Sequence, residues 1–149
     1  MKIKNIMAID PGASGGIAWV CDDQVWSEPM PEGMTEQADA IRSIIVQIPI
    51  KAAYIEQVGT YQPGNSGPAA ATFARHVGNL EAILYMCGVS TVKVIPAKWM
   101  KSLGTMPKDK KARKNKIKEE MARRYPHLKV TLKTADALGL LTYALEKEK

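Results

Sequence analysis

The sequence predicts an α/β fold: a mixed five-stranded sheet, three antiparallel strands plus two parallel ones, flanked by helices. Three observations lead there. Three short apolar segments follow one another near the N-terminus with only turn-sized gaps between them. Two further strand-like segments alternate with long helical patterns, an order that gives parallel pairing with helices on the faces of the sheet. The remaining C-terminal segments are helical in pattern. A chain of 149 residues suits one core, so residues 1–149 are expected to form a single domain.

Each element has a local reason. Residues 4–10 (KNIMAID) read as a short buried strand. Residues 15–21 (GGIAWVC) and 24–28 (QVWSE) follow after tight turns, with Asp22-Asp23 as a hairpin tip. Pro29, Pro31 and Gly33 interrupt the alternation. Thr35 is an N-cap for a helix over 36–48, where Ala38, Ile41, Ile44, Ile45 and Ile48 follow the 3–4 spacing of one face. Pro49 stops it. Residues 52–58 (AAYIEQV) make a fourth strand, and 59–68 are a loop by composition. Pro68 is tolerated in the first turn of a helix over 69–87, which Gly88 closes as a C′ residue. A fifth strand over 91–96 is stopped by Pro96, and a short helix covers 97–103. After a linker over 104–107 come a basic helix over 109–124, ended by Pro126, and a final helix over 134–147. The order is thus β-β-β-α-β-α-β-α-α, plus the short helix. There is no internal repeat, and low complexity is confined to the lysine-rich stretch.

Composition narrows the function classes. With 46% hydrophobic residues the chain is globular rather than disordered. No apolar run reaches the roughly 18 residues of a membrane span. The start, Met1-Lys2-Ile3-Lys4, leads straight into a strand without a secretory apolar region, which points to the cytoplasm. Cys21 and Cys87 lie in apolar surroundings without metal-ligand spacing, so reduced core thiols are expected rather than a zinc site.

The net charge of +6 is unevenly placed. Residues 101–124 hold ten basic and three acidic side chains, net +7, and the rest of the chain sums to −1. Such a segment is either the electrostatic footprint of a nucleic-acid binder or a solvated helix face.

Two carboxylates stand where a strand should be apolar. Asp10 closes the first strand, and Glu56 lies late in the fourth among Tyr54, Ile55 and Val58. A charge inside an apolar strand costs several kcal/mol unless it is paired or binds a metal. In sheets with parallel strands, ligand sites form beyond the carboxyl ends of the strands. If the first and fourth strands are parallel neighbours, Asp10 and Glu56 meet there. Asp136, at the start of the last helix, is either a third member or an ordinary acid favoured near a helix N-terminus. Three converging carboxylates suit Mg²⁺, a hard cation that takes oxygen ligands and keeps several waters. Two such ions roughly 3.5–4 Å apart would activate water and stabilise a leaving oxygen in phosphodiester hydrolysis. Gly12, Gly15 and Gly16 would let the backbone pass close to a phosphate, although they follow neither common phosphate-loop spacing.

Taken together, these segments resemble RuvC-type Holliday-junction resolvases. Ile9-Asp10-Pro11-Gly12 resembles their opening motif and Ile55-Glu56-Gln57-Val58 their second. Ala74-Arg75-His76-Val77-Gly78 resembles their small-residue helix, and Ala135-Asp136-Ala137-Leu138 their C-terminal motif. The likeness spans nearly the whole chain in order. It implies an RNase H-like fold and a homodimeric endodeoxyribonuclease that nicks two symmetric strands of a four-way DNA junction. It implies Mg²⁺, with Mn²⁺ able to substitute, held by Asp10, Glu56 and Asp136 as catalytic carboxylates. It also implies DNA contacts from lysines before the last helix. Lys111, Lys114 and Lys118 fall on one helical face, with Lys114 the best match by position; Lys98 and Lys101 are further candidates.

The chain departs from the family pattern twice. A fourth ligand is expected three or four residues before Asp136, where Leu132 and Lys133 stand. Lys133 would supply positive charge there or be an exposed lysine. Gly59 occupies the position of a junction-wedging aromatic, and Tyr61 follows two residues later. Tyr61 would stack on a base or pack on its own loop. His76 is read as structural, and Trp19, Trp26 and Trp99 as core or interface. The stripe of Ala70, Phe73, Ala74, Val77, Leu80, Ile83 and Leu84 is wider than one packed face needs, so part of it is expected to meet a second subunit. The competing readings are a related nuclease acting on flaps or ribosomal RNA precursors, and a junction-binding module whose chemistry has decayed. An actin-like ATPase or sugar kinase would need a second domain that 149 residues do not supply.

Overall fold

A computed structural model describes residues 5–59, 64 and 66–149. Within these residues five strands form one sheet: β1 (Ile6–Asp10), β2 (Gly16–Cys21), β3 (Gln24–Pro29), β4 (Ala52–Glu56) and β5 (Ser90–Val94). Their spatial order is β3-β2-β1-β4-β5. β1, β2 and β3 pair antiparallel, and β1, β4 and β5 pair parallel. The hairpin tip lies at Asp22 and Asp23, both with positive φ (49° and 67°), as a tight two-residue turn between twisted strands requires.

Among the described residues, five helices cover the faces: α1 (Met34–Gln47), α2 (Gly67–Met86), α3 (Pro96–Ser102), α4 (Lys110–Arg124) and α5 (Leu132–Lys147). Strand alternation sends Met7, Ile9, Ala53 and Ile55 to one face, where they pack with Ile41 and Ile44 of α1 and Leu80 and Leu84 of α2. Ile6, Ala8 and Tyr54 point the other way, into a core with Trp99 of α3, Ile117 and Met121 of α4, and Leu138 of α5. Helix α5 lies across β1 and β2, and α4 packs on α5.

Several boundaries differ from expectation for local reasons. Helix α1 begins at Met34 with Gly33 at the N-cap, two residues before the expected cap at Thr35. Pro96 does not stop a strand; β5 ends at Val94 and Pro96 opens α3, where its missing N–H costs nothing. The short segment over 97–103 is therefore a full element. Helix α5 begins at Leu132 behind a capping box of Thr131 and Thr134, which puts Asp136 in the second turn. Among the described residues, no helix is long and apolar enough to cross a membrane.

Candidate metal centre

Strand register places the first two carboxylates. The parallel pairing of β1 with β4 aligns Ile9 with Ile55, so Asp10 and Glu56 are the next residues along two neighbouring strands. They share parity with Ala8 and Tyr54, so both side chains rise on the face covered by α5. Asp136 comes from α5, between the buried Ala135 and Ala137. Oxygens of Asp10, Glu56 and Asp136 lie within 4.8 Å of one another.

The electrostatics of this group are those of a centre lacking positive charge. Burial pushes the Asp10 carboxyl well above the usual carboxylate range, and Glu56 and Asp136 push the same way, while Lys114 pulls back. Glu56 is pushed up to about 7, first by burial and further by Asp136, against the Trp99 hydrogen bond and Lys114. Asp136 is raised by burial and lowered by Lys114 and Arg113. Lys114 Nζ stands 4.0 Å from Asp136 Oδ2, at the outer limit of an ion pair. A divalent cation fits this donor set: the ligands are all oxygens, all acidic, and mutually repulsive without it.

The glycines of the β1–β2 turn serve the protein's own packing. A Cβ at Gly15 would lie 1.9 Å from the Asp10 carbonyl oxygen, and one at Gly16 would lie 2.6 Å from the Lys133 carbonyl oxygen. These two residues let the turn fold back on Asp10 and let α5 sit on β2. Gly12 is different: its φ of 113° turns the chain, and it borders open space near Phe73.

The basic candidates separate in space. Lys114 lies beside the carboxylates, and Lys111 and Lys118 are its helical neighbours on α4. Lys98 and Lys101 are exposed on α3 either side of Trp99. Lys133 is exposed on the first turn of α5 and helps to line a neighbouring cavity of about 910 Å³ with Gly12, Phe73, Arg75 and His76. Burial lowers the His76 pKa, which favours its neutral form. Leu132 is exposed. Tyr61 lies outside the described residues.

Two residues of the site escaped the sequence reading. Arg113, beside Lys114, adds positive charge near Asp136. Trp99 donates its indole N–H to Glu56 Oε2 at 2.7 Å. Its signal was present: a strand parallel to β4 ends on the same edge as Glu56, and the helix that follows carries a tryptophan whose N–H needs a partner once buried.

No family model matches the chain, and no curated protein matches its sequence. Solved structures do match its fold. Thermus thermophilus RuvC superposes with a TM-score of 0.62 at 18% identity, covering 97% of this chain and 95% of that one. The same figures hold for T. thermophilus RuvC in complex with a Holliday junction substrate. Fowlpox virus resolvase, in complex with its substrate Holliday junction DNA, gives a TM-score of 0.54 at 10% identity over 95% of this chain and 99% of that one. The chain thus shares the RNase H-like α/β fold of RuvC.

Proposed function

We propose that the protein is a metal-dependent endodeoxyribonuclease that resolves four-way DNA junctions by paired symmetric nicks. The observation that carries this reading is the cluster of Asp10, Glu56 and Asp136 within 4.8 Å, on a fold shared with junction resolvases. Asp10, Glu56 and Asp136 would hold Mg²⁺ or Mn²⁺, which supplies Lewis acidity and an activated water for phosphodiester hydrolysis. The protein's own residues do the rest. Burial fixes the carboxylates before substrate arrives, and Lys114 offsets part of their charge. Lys111 and Lys118 take phosphates flanking the cut, with Lys98 and Lys101 extending the basic surface and Lys133 contributing from the cavity side. Tyr61, five residues after Glu56 in the sequence, is the candidate for stacking on a base at the branch point.

Paired nicks need two sites related by symmetry. Of the expected apolar stripe of α2, Leu80 and Leu84 are fully buried and Ile83 packs beside them, whereas Ala70, Phe73 and Val77 are half-buried and Ala74 is exposed. An exposed row on the same helix is Ala71, Ala74, Gly78, Ala82 and Tyr85, with Tyr85 81% exposed. That row of small residues is the surface proposed for a second copy, giving a homodimer.

The test is cleavage of end-labelled four-way junctions, flaps, linear duplex and structured RNA in Mg²⁺ or EDTA, with light scattering for the dimer. Paired nicks confined to the junction and lost in EDTA are expected. Tight junction binding without cleavage in Mg²⁺ or Mn²⁺ would favour a binding module, a reading that rests on Leu132 and Lys133 standing where a fourth ligand is expected.

A further inference from the structure

We infer that Trp99 is a positioning residue for the metal centre: its indole N–H holds one oxygen of Glu56 and leaves the other as the ligand atom. This inference rests on the metal-dependent reading given above.

The fold delivers the indole to Glu56 by a short route. Glu56 pairs with Val94 across the parallel β4–β5 ladder, and the Gln57 N–H reaches on to the Val94 carbonyl at 2.8 Å. Two residues later Pro96 opens α3, and one turn of helix turns Trp99 back toward the sheet. The indole is fully buried, and its N–H lies 2.7 Å from Glu56 Oε2.

The seat of the indole is an independent observation. A Cβ at Gly139 would lie 2.5 Å from Trp99 Cζ3 and 3.1 Å from Cε3. Glycine in a helix interior is unfavourable relative to alanine. Helix α5 accepts it at the point where the six-membered ring lies against the backbone. The ring is thus held on one side by α5 and at its nitrogen by Glu56.

The choice of donor has chemical consequences. An indole N–H is a donor only, carries no charge and does not titrate. It steadies a carboxylate without adding positive charge that would repel a cation, which Lys114 necessarily does. It also occupies one Glu56 oxygen and so favours monodentate ligation. Mg²⁺ demands near-ideal octahedral geometry and is poorly served by a carboxylate free to swing or chelate. Partners that orient a metal ligand in this way are typically worth roughly 10–100-fold in metal affinity.

The decisive experiment removes the N–H and keeps the ring. Full-length protein carrying benzothienylalanine at position 99, an isostere without the donor, is compared with Trp99→Phe and with fluorotryptophan, which retains it. Mn²⁺ binding is read by electron paramagnetic resonance, junction affinity in EDTA by gel shift, and folding by thermal melting. The isostere and Trp99→Phe are expected to bind Mn²⁺ roughly 10–100-fold more weakly. Fluorotryptophan should restore affinity, and junction binding in EDTA should not change. Nicking by the isostere should recover as Mn²⁺ is raised to saturation. Wild-type Mn²⁺ affinity in the isostere, with Glu56→Gln still defective, would overturn the role of Trp99 and leave the metal centre standing. Equal Mn²⁺ binding by wild type and Glu56→Gln would overturn both.

Discussion

The two faces of the sheet use the same strands and part company at their last residues. Toward α1 and α2, β1 and β4 present Met7, Ile9, Ala53 and Ile55, all buried and apolar to the end. Toward α3, α4 and α5 they present Ile6, Ala8 and Tyr54, and then Asp10 and Glu56. One face is a packing surface throughout. The other packs for most of its length and becomes a charged site at the carboxyl edge. Because side chains alternate, a single step along β1 from Ile9 to Asp10 crosses from one regime to the other. Stability and chemistry are therefore separable at neighbouring positions.

The largest expected effects come from testing that separation directly. Asp10→Asn should reduce nicking to background while junction binding in EDTA is retained, since phosphate contacts dominate affinity. Its metal-free melting temperature should rise, because a buried, repelled charge is removed. Ile9→Ala should do the opposite: a loss of about 2–5 kcal/mol in denaturant unfolding, with nicking per folded molecule preserved. Retained cutting by Asp10→Asn would show that the charged edge is not the reaction centre.

A pH titration sharpens the same contrast with a smaller effect. The Glu56 carboxyl, raised from 4.5 to about 7, binds its proton more tightly folded than unfolded. Its contribution to metal-free stability is therefore fully present below about pH 4.5 and is lost as pH rises through about 7. Unfolding in EDTA should show a loss on the order of 3 kcal/mol across that window. Glu56→Gln should make the profile shallower, leaving the part due to Asp10 and Asp136, whose carboxyls burial also raises, and saturating Mg²⁺ should replace the lost stability at the upper end. Ile55→Ala, on the apolar face, should lower the whole curve without changing its slope.

The smallest effects belong to the exposed rim of the charged edge. Lys111→Ala and Lys118→Ala should each weaken junction binding for all sequences and reduce the salt-dependence slope by about 1. Lys114→Ala should change the slope as well as metal-dependent nicking, because that ammonium acts on the carboxylates. A slope unchanged in all three variants would move the DNA path away from α4.

Much of this architecture was legible in residue patterns. Alternation and turn residues gave the first three strands, and the 3–4 spacing gave the long helices. The hairpin tip at Asp22-Asp23, Pro68 in the first turn of α2 and the Gly88 closure follow from local backbone chemistry. So does the oddity of Asp10 and Glu56, since an acid at the end of an apolar strand needs a cation or a partner wherever it is placed. Their meeting was conditional on β1 lying parallel to β4, and the register supplies that condition.

What only the tertiary structure decided are relations between residues far apart in the chain. The sequence placed Gly15 and Gly16 near a possible phosphate, whereas their missing side chains make room for the Asp10 and Lys133 carbonyls. It placed Lys133 close to Asp136 by numbering, whereas Lys114 and Arg113 supply the positive charge that partly offsets the effect of burial on Asp136. It left Trp99 among the core aromatics, whereas the β4–β5 pairing carries its indole to Glu56, 43 residues away. Local pattern determines which segments are strands and helices because backbone sterics and side-chain alternation act over a few residues. Which charged group faces which depends on strand order and helix packing, and those arise from burying two apolar faces at once.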